Sequence, residues 1–232
     1  MVTMKEFENK LSLIASIIGD KSRSVMLWNL MDGKAYTATE LSLCADISPQ
    51  SASNHLAKLV KTGILTVTKQ GRHRYFSFSS PEAARVMESM ATLLPPEPDR
   101  VSKSSPEPVG IAYARTCYDH IAGRVGVALT ESLVKNRLIA SSGEDYLVTG
   151  QGKDWFASLG LDVEEIRSQR RSFARQCLDW SERKPHLAGA LGGSLLRMML
   201  QKNWVRKTKM SRELFVTAAG RSGLRDVLNL EI

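Results

Sequence analysis

The sequence has few cysteines and no long apolar segment. Only three of its 232 residues are cysteine, at positions 44, 117 and 177. So few thiols in a chain of this length exclude a disulfide framework and are typical of a protein from the reducing cytosol. No apolar run approaches the ~20 residues of a membrane span, and the first ten residues, two of them acidic, lack the pattern of a secretion signal. We therefore expect a cytoplasmic protein with no membrane partner.

The sequence also lacks the motifs of several enzyme classes. It contains no glycine-rich phosphate loop, no HExxH motif and no GxSxG motif. Cys117, Asp119 and His120 are the residue types of an activated thiol, but catalytic Cys/His pairs usually meet across a fold rather than within four positions. We therefore expect that the protein is not an enzyme, with a thiol-dependent enzyme as the alternative.

Composition indicates a globular protein with two domains and a polyanionic partner. The chain is 43% hydrophobic and 24% charged, with a formal net charge of +8, and it is long enough for two modest cores. An excess of basic residues favours nucleic acid among other polyanions. Five of the eight prolines fall in the otherwise polar segment 95–108, which is typical of an extended linker. We therefore predict a domain at 1–94, a linker at 95–108 and a domain at 109–232.

Residues 37–61 have the local signals of a helix-turn-helix. Thr37 and Glu40 have the spacing of a capping box, which begins a short helix. Ser48 can cap a second helix, whose first position is a proline that needs no hydrogen-bond partner for its nitrogen. The second helix carries one apolar stripe, composed of Ala52, Leu56, Leu59 and Val60.

A β-hairpin with a basic tip is predicted next. Residues 64–68 and 73–78 form two alternating runs around a glycine turn. Between Asp46 and Glu82 there are five Lys or Arg residues and no acidic residue, which is the local charge bias that phosphate binding requires. The two helices and the hairpin together predict a winged helix-turn-helix.

The face of the second helix opposite its apolar stripe carries amide, hydroxyl and ammonium groups. Amide side chains can pair with adenine in the major groove, and hydroxyl and cationic groups can contact phosphates. We therefore expect double-stranded DNA as the partner, with bases read by Gln50, Ser51, Ser53 and Asn54. Phosphates would be held by Lys58, Arg72 and Arg74. His55 lies at the flank of the helix and could contact a base, contact phosphate or pack.

Four short segments carry a family resemblance: GDKSR at 19–23, ELSLC at 40–44, SPQSASNHL at 48–56 and GRHRY at 71–75. With them, the stretch from residue 11 to residue 94 resembles the ArsR/SmtB family of bacterial transcription regulators. The resemblance implies a homodimer that binds a palindromic operator, usually as a repressor released by an inducer. In that family the first helix and the helix expected at 82–94 form the dimer interface.

The inducer sites best known in the resembled family are absent. Many of its thiolate sensors carry Cys-Val-Cys where this chain has Ser42, Leu43 and Cys44, and the helix at 82–94 contains no histidine. A lone thiolate holds a metal ion poorly, so we expect Cys44 to be a small buried hydrophobic residue.

Apolar spacing predicts three further helices in the first domain, at 4–18, 22–31 and 82–94. On the first, the expected buried side is Leu11, Ile14, Ile17 and Ile18. On the last, it is Ala83, Val86 or Met87, Met90 and Leu94.

The second domain contains an internal repeat. HIAGRVG at 120–126 parallels HLAGALG at 186–192, and YLVTGQG at 146–152 parallels LFVTAAG at 214–220. We predict two units, about 117–162 and 177–231, each in the order helix, strand, loop, strand, helix and joined by a helix at 163–180. A chance similarity of two winged-helix patterns is the alternative.

The predicted fold class is mainly α with small β-hairpins. It combines an N-terminal winged helix-turn-helix with a C-terminal α+β domain of two winged-helix-like repeats.

The repeat pairs two cysteines with two histidines. Cys117 and His120 are spaced i, i+3, as on one helix, and Cys177 and His186 could complete a tetrahedral set across the repeat. Zinc or another thiophilic metal, such as cadmium or mercury, would suit these ligands. The alternatives are plain core packing and a redox pair. A distance under about 4 Å between the two sulfurs would favour a shared metal, because two Zn–S bonds of ~2.3 Å span about that distance.

Two other functions of the second domain remain open. It could hold a small organic inducer in an apolar pocket, lined by Trp155, Phe156, Trp180, Met198, Met199 and Trp204. Alternatively it could be a structural extension that braces the dimer or lengthens the DNA footprint, since it carries 19 basic and 13 acidic residues from Val109 onward.

Overall fold

The computed structural model describes residues 3–93, 110–208 and 211–232. These residues form two compact units, Met1–Met87 and Glu88–Ile232, hereafter unit 1 and unit 2. The predicted linker at 95–108 lies outside the described residues, so the predicted domain limits stay a prediction. Within the described ranges, no helix has the length and apolar character needed to cross a membrane.

Unit 1 has the element order of a winged helix. Its helices and strands are α1 (Met4–Ile18), α2 (Lys21–Leu30), β1 (Tyr36–Thr37), α3 (Ala38–Ala45), α4 (Pro49–Lys61), β2 (Leu65–Gln70), β3 (His73–Phe78) and the start of α5 (Pro81–Ala91). The strands form one antiparallel sheet in the order β1-β3-β2. The predicted winged helix-turn-helix is confirmed.

Local side-chain chemistry begins and ends the two helices of the helix-turn-helix. Thr37 and Glu40 form the predicted capping box at α3, and Asp46 ends this helix in the left-handed conformation with a φ of 51°. The Ser48 hydroxyl accepts a hydrogen bond from the Ser51 N–H at the start of α4. After α4, Gly63 has a φ of 75°, a conformation that glycine adopts without the steric penalty of a Cβ.

The structure corrects the expected burial of α1. Ile17 and Ile18 are buried as predicted, but Leu11 and Ile14 are exposed, and so are Met4 and Phe7 nearer the start of the helix. The sequence periodicity identified one apolar face correctly. Only the last turn of that face is covered by unit 1 itself.

The buried face of α5 also differs from the prediction. The helix ends at Ala91, its buried residues are Ala84, Met87, Glu88 and Ala91, and Val86 and Met90 are exposed. Apolar spacing alone placed Val86 or Met87 and Met90 inside. It gave no reason to place a carboxylate there.

Unit 2 repeats one order of elements twice. The first repeat has β4 (Arg115–Cys117), β5 (His120–Ala122), α6 (Gly123–Lys135), β6 (Ile139–Ser142), β7 (Asp145–Val148) and α7 (Gly150–Ser158). The second, after the short α8 (Val163–Arg167), has β8 (Arg175–Leu178), β9 (Pro185–Ala188), α9 (Gly189–Gln201), β10 (Val205–Lys207), β11 (Leu214–Val216) and α10 (Ala218–Leu228). Each repeat is therefore hairpin, helix, hairpin, helix.

Two predictions for unit 2 were wrong. Cys117 and His120 do not lie on a helix: they are paired residues of the β4–β5 hairpin, joined by a two-residue turn in which Tyr118 has a φ of 58°. The helix expected at 163–180 is only five residues long, and Cys177 lies on β8. In both cases strand pairing outweighed the helical spacing of apolar residues.

Glycines let the long helices pass close to the hairpins. A Cβ on Gly192 of α9 would lie 2.4 Å from the Leu187 carbonyl oxygen and 3.2 Å from the Cβ of His120. Gly126 is the matching residue of α6, where a Cβ would lie 2.5 Å from the Ile121 carbonyl oxygen. Each helix therefore packs against the hairpin before it and also reaches the hairpin of the other repeat.

Candidate nucleic-acid interface and candidate metal centre

The predicted base-reading residues lie on the outer face of α4. Its apolar residues Ala52, Leu56 and Leu59 are buried. Gln50, Ser53, Asn54 and Lys58 are exposed, and Ser51 is half-buried. Gln50 and Asn54 are one turn apart, so their amides can reach neighbouring base edges in a major groove.

His55 is held within unit 1. Its Nδ1 lies 3.1 Å from Nη1 of Arg23 and 3.5 Å from Oδ1 of Asp20. Arg23 is itself buried and also donates to two carbonyl oxygens at the end of α1. His55 therefore joins α4 to the start of α2, and of the three roles left open for it the structure favours packing.

The hairpin β2–β3 presents the predicted cations. Arg72 and Arg74 are both exposed, and Lys69 is the direct cross-strand partner of Arg74. Like charges in opposite positions of a ladder destabilise the pair. An anion such as a DNA phosphate would relieve that repulsion.

In unit 2 the structure brings together the four predicted Cys and His residues, hereafter the Cys/His cluster. Cys117 pairs with His120 across β4–β5, and Cys177 pairs with His186 across β8–β9. The sulfurs are 3.8 Å apart, the two His Nε2 atoms are 3.1 Å apart, and one ligand atom from each residue lies within 4.8 Å of the others. Cys177 is half-buried and the other three are buried.

These distances fit one tetrahedral ion. A tetrahedral Zn²⁺, with Zn–S bonds of ~2.3 Å and Zn–N bonds of ~2.0–2.1 Å, separates its two sulfurs by about 3.8 Å and its two nitrogens by about 3.3 Å. A disulfide would need a sulfur separation of ~2.05 Å, and all three cysteines are free thiols. The donor set of two sulfurs and two imidazole nitrogens suits zinc and softer ions.

Both histidines are oriented by carboxylates. Nδ1 of His120 lies 3.3 Å from Oδ1 of Asp119, and Nδ1 of His186 lies 3.3 Å from Oδ2 of Asp179. Each ring therefore turns Nε2 towards the centre of the cluster and has a carboxylate beside Nδ1. At His120 this contact is a hydrogen bond, and at His186 it lies within ion-pair distance without hydrogen-bond geometry. This arrangement is usual for histidines that ligate metals, because it fixes the tautomer and the ring plane.

Arginines hold these carboxylates in their ionised form. Burial opposes ionisation of Asp119, but hydrogen bonds from His120 and Arg171 lower the pKa of this carboxyl to about 2. Burial also opposes ionisation of Asp179, but His186 and Arg115 lower the pKa of this carboxyl well below its usual range. The carboxylates therefore stay charged beside the rings that they orient.

Two of the four ligand residues, Cys117 and His120, hold protons more tightly than usual. A hydrogen bond with Cys177, and then burial, raise the pKa of the Cys117 thiol well above its usual range. Burial disfavours a charge on His120, but Cys117 and Asp119 raise the pKa of its ring to about 9. A bound metal ion would displace these protons, since thiolate and neutral imidazole are the ligating forms.

The sequence identified the four residues of the cluster but not the arginines that hold the carboxylates behind them. Arg115 lies two residues before Cys117 and is fully buried, with Nη2 3.0 Å from Oδ2 of Asp179. Arg171 pairs with Asp119 from the segment after α8. An arginine two residues from a cysteine expected to be buried needs a buried partner, but the sequence does not identify which residue supplies it.

The residues expected to line an apolar pocket fill the core instead. Phe156, Met198 and Met199 are buried in the core of unit 2, and Trp155 and Trp204 pack against it. Trp180 stacks on the Arg115 guanidinium at 4.5 Å. A cavity of about 560 Å³ in unit 2 is lined by none of them; its walls are Tyr113, Arg124, Val125, Ala128, Arg221, Arg225, Glu231 and Ile232.

Comparison with known proteins gives one match over nearly the whole chain. Residues 18–68 match a family model described as a helix-turn-helix domain. An uncharacterized HTH-type transcriptional regulator of Bacillus subtilis (strain 168), YdfF, is 42% identical over 219 residues, which cover 94% of this chain and 97% of YdfF. That alignment is long enough to include both units.

Solved structures match a shorter part of the chain. Reduced HlyU from Vibrio cholerae N16961 is 24% identical with a TM-score of 0.35, covering 39% of this chain and 94% of HlyU. The AntR antimony-specific transcriptional repressor is 22% identical with a TM-score of 0.35, covering 40% of this chain and 83% of AntR. The transcriptional repressor BigR from Xylella fastidiosa is 17% identical with a TM-score of 0.36, covering 40% of this chain and 95% of BigR.

Proposed function

Because the chain belongs to the family of HTH-type transcriptional regulators that includes YdfF, we propose that it binds operator DNA as a homodimer and releases it when a metal ion binds unit 2. Its class, a DNA-binding transcription regulator with an ArsR-like winged helix-turn-helix, is the premise. The operator contacts, the dimer and the inducer are the proposal.

The DNA contacts are assigned to α4 and the hairpin β2–β3. The observation that carries this assignment is the outer face of α4, which exposes amide, hydroxyl and ammonium groups and no carboxylate. Gln50 and Asn54 read bases, with Ser51 and Ser53 beside them. Lys58 holds phosphate along the same face. Arg72 and Arg74 hold phosphates from the hairpin.

The homodimer is supported by the uncovered face of α1. Met4, Phe7, Leu11 and Ile14 follow one another at intervals of three or four residues and are all exposed, so they form a single apolar stripe. Exposed apolar stripes of this kind mark association surfaces. A two-fold dimer also places two recognition helices about one DNA turn, ~34 Å, apart, as a palindromic operator requires.

The inducer is assigned to the Cys/His cluster. Plain core packing explains buried cysteines, but it does not explain two histidines that turn Nε2 towards each other and Nδ1 towards carboxylates. Zinc, or a softer ion such as cadmium, would be held by Cys117, His120, Cys177 and His186 in a tetrahedral S2N2 site. A bound ion would supply a charge centre that links the hairpins of the two repeats.

Metal and DNA titrations test the proposal. Protein prepared under reducing conditions should take up one Cd²⁺ per chain. The DNA is a duplex that the metal-free protein has selected from a random-sequence pool. Cd²⁺ should weaken binding to this duplex. A double Cys117→Ser and Cys177→Ser variant should lose Cd²⁺ uptake and keep DNA binding. Cys44→Ser is the matched control, since this thiol lies in unit 1 and outside the cluster.

The outcomes separate the alternatives. Wild-type protein that takes up no more Cd²⁺ than the double variant would overturn the metal site. A response of DNA binding to a mild oxidant but not to Cd²⁺, abolished in the same double variant, would favour the redox pair. Unchanged DNA binding under both treatments would favour a purely structural unit 2.

A further inference from the structure

A buried glutamate near the end of α5 lies outside both the Cys/His cluster and the face of α4 assigned to DNA. Glu88 belongs to unit 2 and is only 2% exposed. Its carboxylate lies 3.0 Å from Nη1 of Arg212 and 3.4 Å from Nη2 of Arg115. A buried carboxylate is costly unless cations compensate it. Here burial opposes ionisation, but Arg212 and Arg115 lower the pKa of Glu88.

Arg115 joins this glutamate to the Cys/His cluster. Its Nη2 lies 3.0 Å from Oδ2 of Asp179 as well as 3.4 Å from Oε1 of Glu88. Stacking on Trp180 holds the plane of the guanidinium. One rigid cation therefore serves two carboxylates, so a shift of either carboxylate changes its contact with the other.

The chain of contacts ends on a cluster histidine. Oδ2 of Asp179 lies 3.3 Å from Nδ1 of His186 and accepts a hydrogen bond of 2.7 Å from the Gly123 N–H. His186 and Asp179 are both fully buried. Hence His186, Asp179, Arg115 and Glu88 form an unbroken line of paired polar groups, hereafter the relay, from which solvent is excluded.

The other histidine has no such continuation. His120 contacts Asp119, and Asp119 contacts Arg171, but the side chains of Asp119 and Arg171 are 25% and 28% exposed. Within the part of the chain that the structure describes, neither Arg171 nor Asp119 forms an ion pair with a second buried carboxylate. The two halves of the cluster have the same ligand types, but the carboxylate and arginine next to His120 are partly exposed, whereas those next to His186 are buried.

We infer that the relay couples occupation of the Cys/His cluster to the anchoring of the last turn of α5, so that a thiophilic ion acts on DNA binding through Glu88. The inference rests on the metal and DNA binding proposed above. When an ion holds Nε2 of His186, the ring plane is fixed, and with it the positions of Asp179, Arg115 and Glu88. Because α5 begins three residues after β3, the second strand of the DNA-binding hairpin, a change in its last turn can alter the hairpin.

Glu88→Gln tests the relay, with Glu82→Gln as the matched control. Glu82 lies on the same helix, but its side chain is 67% exposed and forms an ion pair with Arg85, one turn along the helix. In wild-type protein and in Glu82→Gln, one equivalent of Cd²⁺ should change the Kd for the selected duplex by at least about fivefold, the lower range of allosteric coupling. In Glu88→Gln the protein should still bind Cd²⁺ and DNA, and the change should fall to less than about twofold.

Reciprocity provides an internal check. If Cd²⁺ changes the Kd for DNA by a given factor, DNA must change the Kd for Cd²⁺ by the same factor. Both factors should therefore collapse together in Glu88→Gln and persist together in Glu82→Gln.

A second measurement needs no variant and covers the case in which Glu88→Gln fails to fold. Hydrogen exchange of the backbone amides of residues 88–91 in the full-length wild-type protein should slow when Cd²⁺ binds, because the last turn becomes better anchored. Unchanged exchange in that turn, with Cd²⁺ bound, would overturn the relay.

The failures are distinguishable. Wild-type protein in which Cd²⁺ does not bind, or does not change DNA affinity, contradicts the proposed function and the relay together. Coupling in Glu88→Gln equal to that of wild type contradicts the relay alone and leaves the proposed function standing.

Discussion

Asn54 and Lys58 lie one helical turn apart on the exposed face of α4, yet they should contribute to DNA binding in different ways. An amide can pair with a base edge in two hydrogen bonds, so its contribution depends on the sequence. An ammonium neutralises a phosphate, so its contribution is nearly independent of the sequence and falls as salt rises. The two residues therefore offer a direct test of how α4 is oriented on DNA.

Asn54→Ala should weaken binding to the selected duplex by about 1–3 kcal/mol and leave binding to random DNA unchanged. Lys58→Ala should weaken both and reduce the slope of log K against log salt by about one unit. Fluorescence anisotropy over a series of salt concentrations gives the affinity of each variant for the selected duplex and for random DNA, and the salt slope. If Asn54→Ala bound the selected duplex as wild type does, α4 would not be the base-reading helix.

The carboxylates behind the two histidines allow a prediction about metal retention. Asp119→Asn keeps the size of the side chain but removes the charge that orients His120 and balances Arg171. Loss of such an orienting carboxylate typically costs about 10–100-fold in metal affinity, so the Kd for Zn²⁺, measured by competition with a chelating dye, should rise by a factor in this range.

Asp154→Asn is the control for that measurement, because Asp154 is exposed on α7 and is not part of the cluster. Equal Zn²⁺ affinity in Asp119→Asn and Asp154→Asn would mean that the pairing of Asp119 with His120 does not act on a metal.

At the scale of elements, the sequence predicted the winged helix better than unit 2 for a physical reason. The starts of α3 and α4 are set by hydrogen bonds that span three residues, between Thr37 and Glu40 and between Ser48 and Ser51. Such signals are local and can be read from sequence.

The spacing of the cluster was ambiguous in a different way. Residues i and i+3 are neighbours on one helical turn, and they are also the cross-strand pair that flanks a two-residue hairpin turn. Cys117 and His120 fit both geometries, and the structure has the hairpin. The proximity of the two side chains could therefore be predicted, whereas their secondary structure could not. Arg115 and Glu88, far apart in sequence, gave no local sign of their contact.

Gly192 tests how closely α9 must approach the hairpins. A methyl group there would overlap the Leu187 carbonyl oxygen and press on the Cβ of His120, so Gly192→Ala should destabilise unit 2 by about 1–3 kcal/mol, as overpacking does. It should also weaken Zn²⁺ binding, since the β4–β5 hairpin carries two of the four ligands. Thermal unfolding followed by circular dichroism gives the stability change.

Gly150→Ala is the matched control, because a Cβ at Gly150 meets nothing within 4 Å. A melting temperature for Gly192→Ala equal to that of Gly150→Ala would contradict the tight packing of α9.

At the scale of the whole molecule, unit 2 is part of the family architecture. The alignment with YdfF covers 94% of this chain and 97% of YdfF, so it includes residues of both units. Unit 2 also has a core and an internal repeat of its own. A chain built from two such units can change one of them while the other stays the same, because fold and function reside in separate sites.

The apolar stripe of α1 leads to a prediction about assembly. Leu11 lies in the middle of the stripe and is 56% exposed. Leu11→Glu would place two carboxylates against each other at a two-fold interface, where like charges and lost apolar contact both oppose association. Sedimentation equilibrium should give the mass of a dimer for wild type and of a monomer for this variant at the same concentration. Because a monomer engages only one half-site, affinity for the selected duplex should fall with it.

Leu13→Glu is the control on the same helix. At 100° per residue, Leu13 lies about 160° around the helix from Leu11, and it is similarly exposed at 52%. It should remain a dimer, since a charge on that side meets solvent rather than the partner. If both variants stayed dimeric, α1 would not form the interface, and the exposed Val86 and Met90 of α5 would be the next residues to substitute.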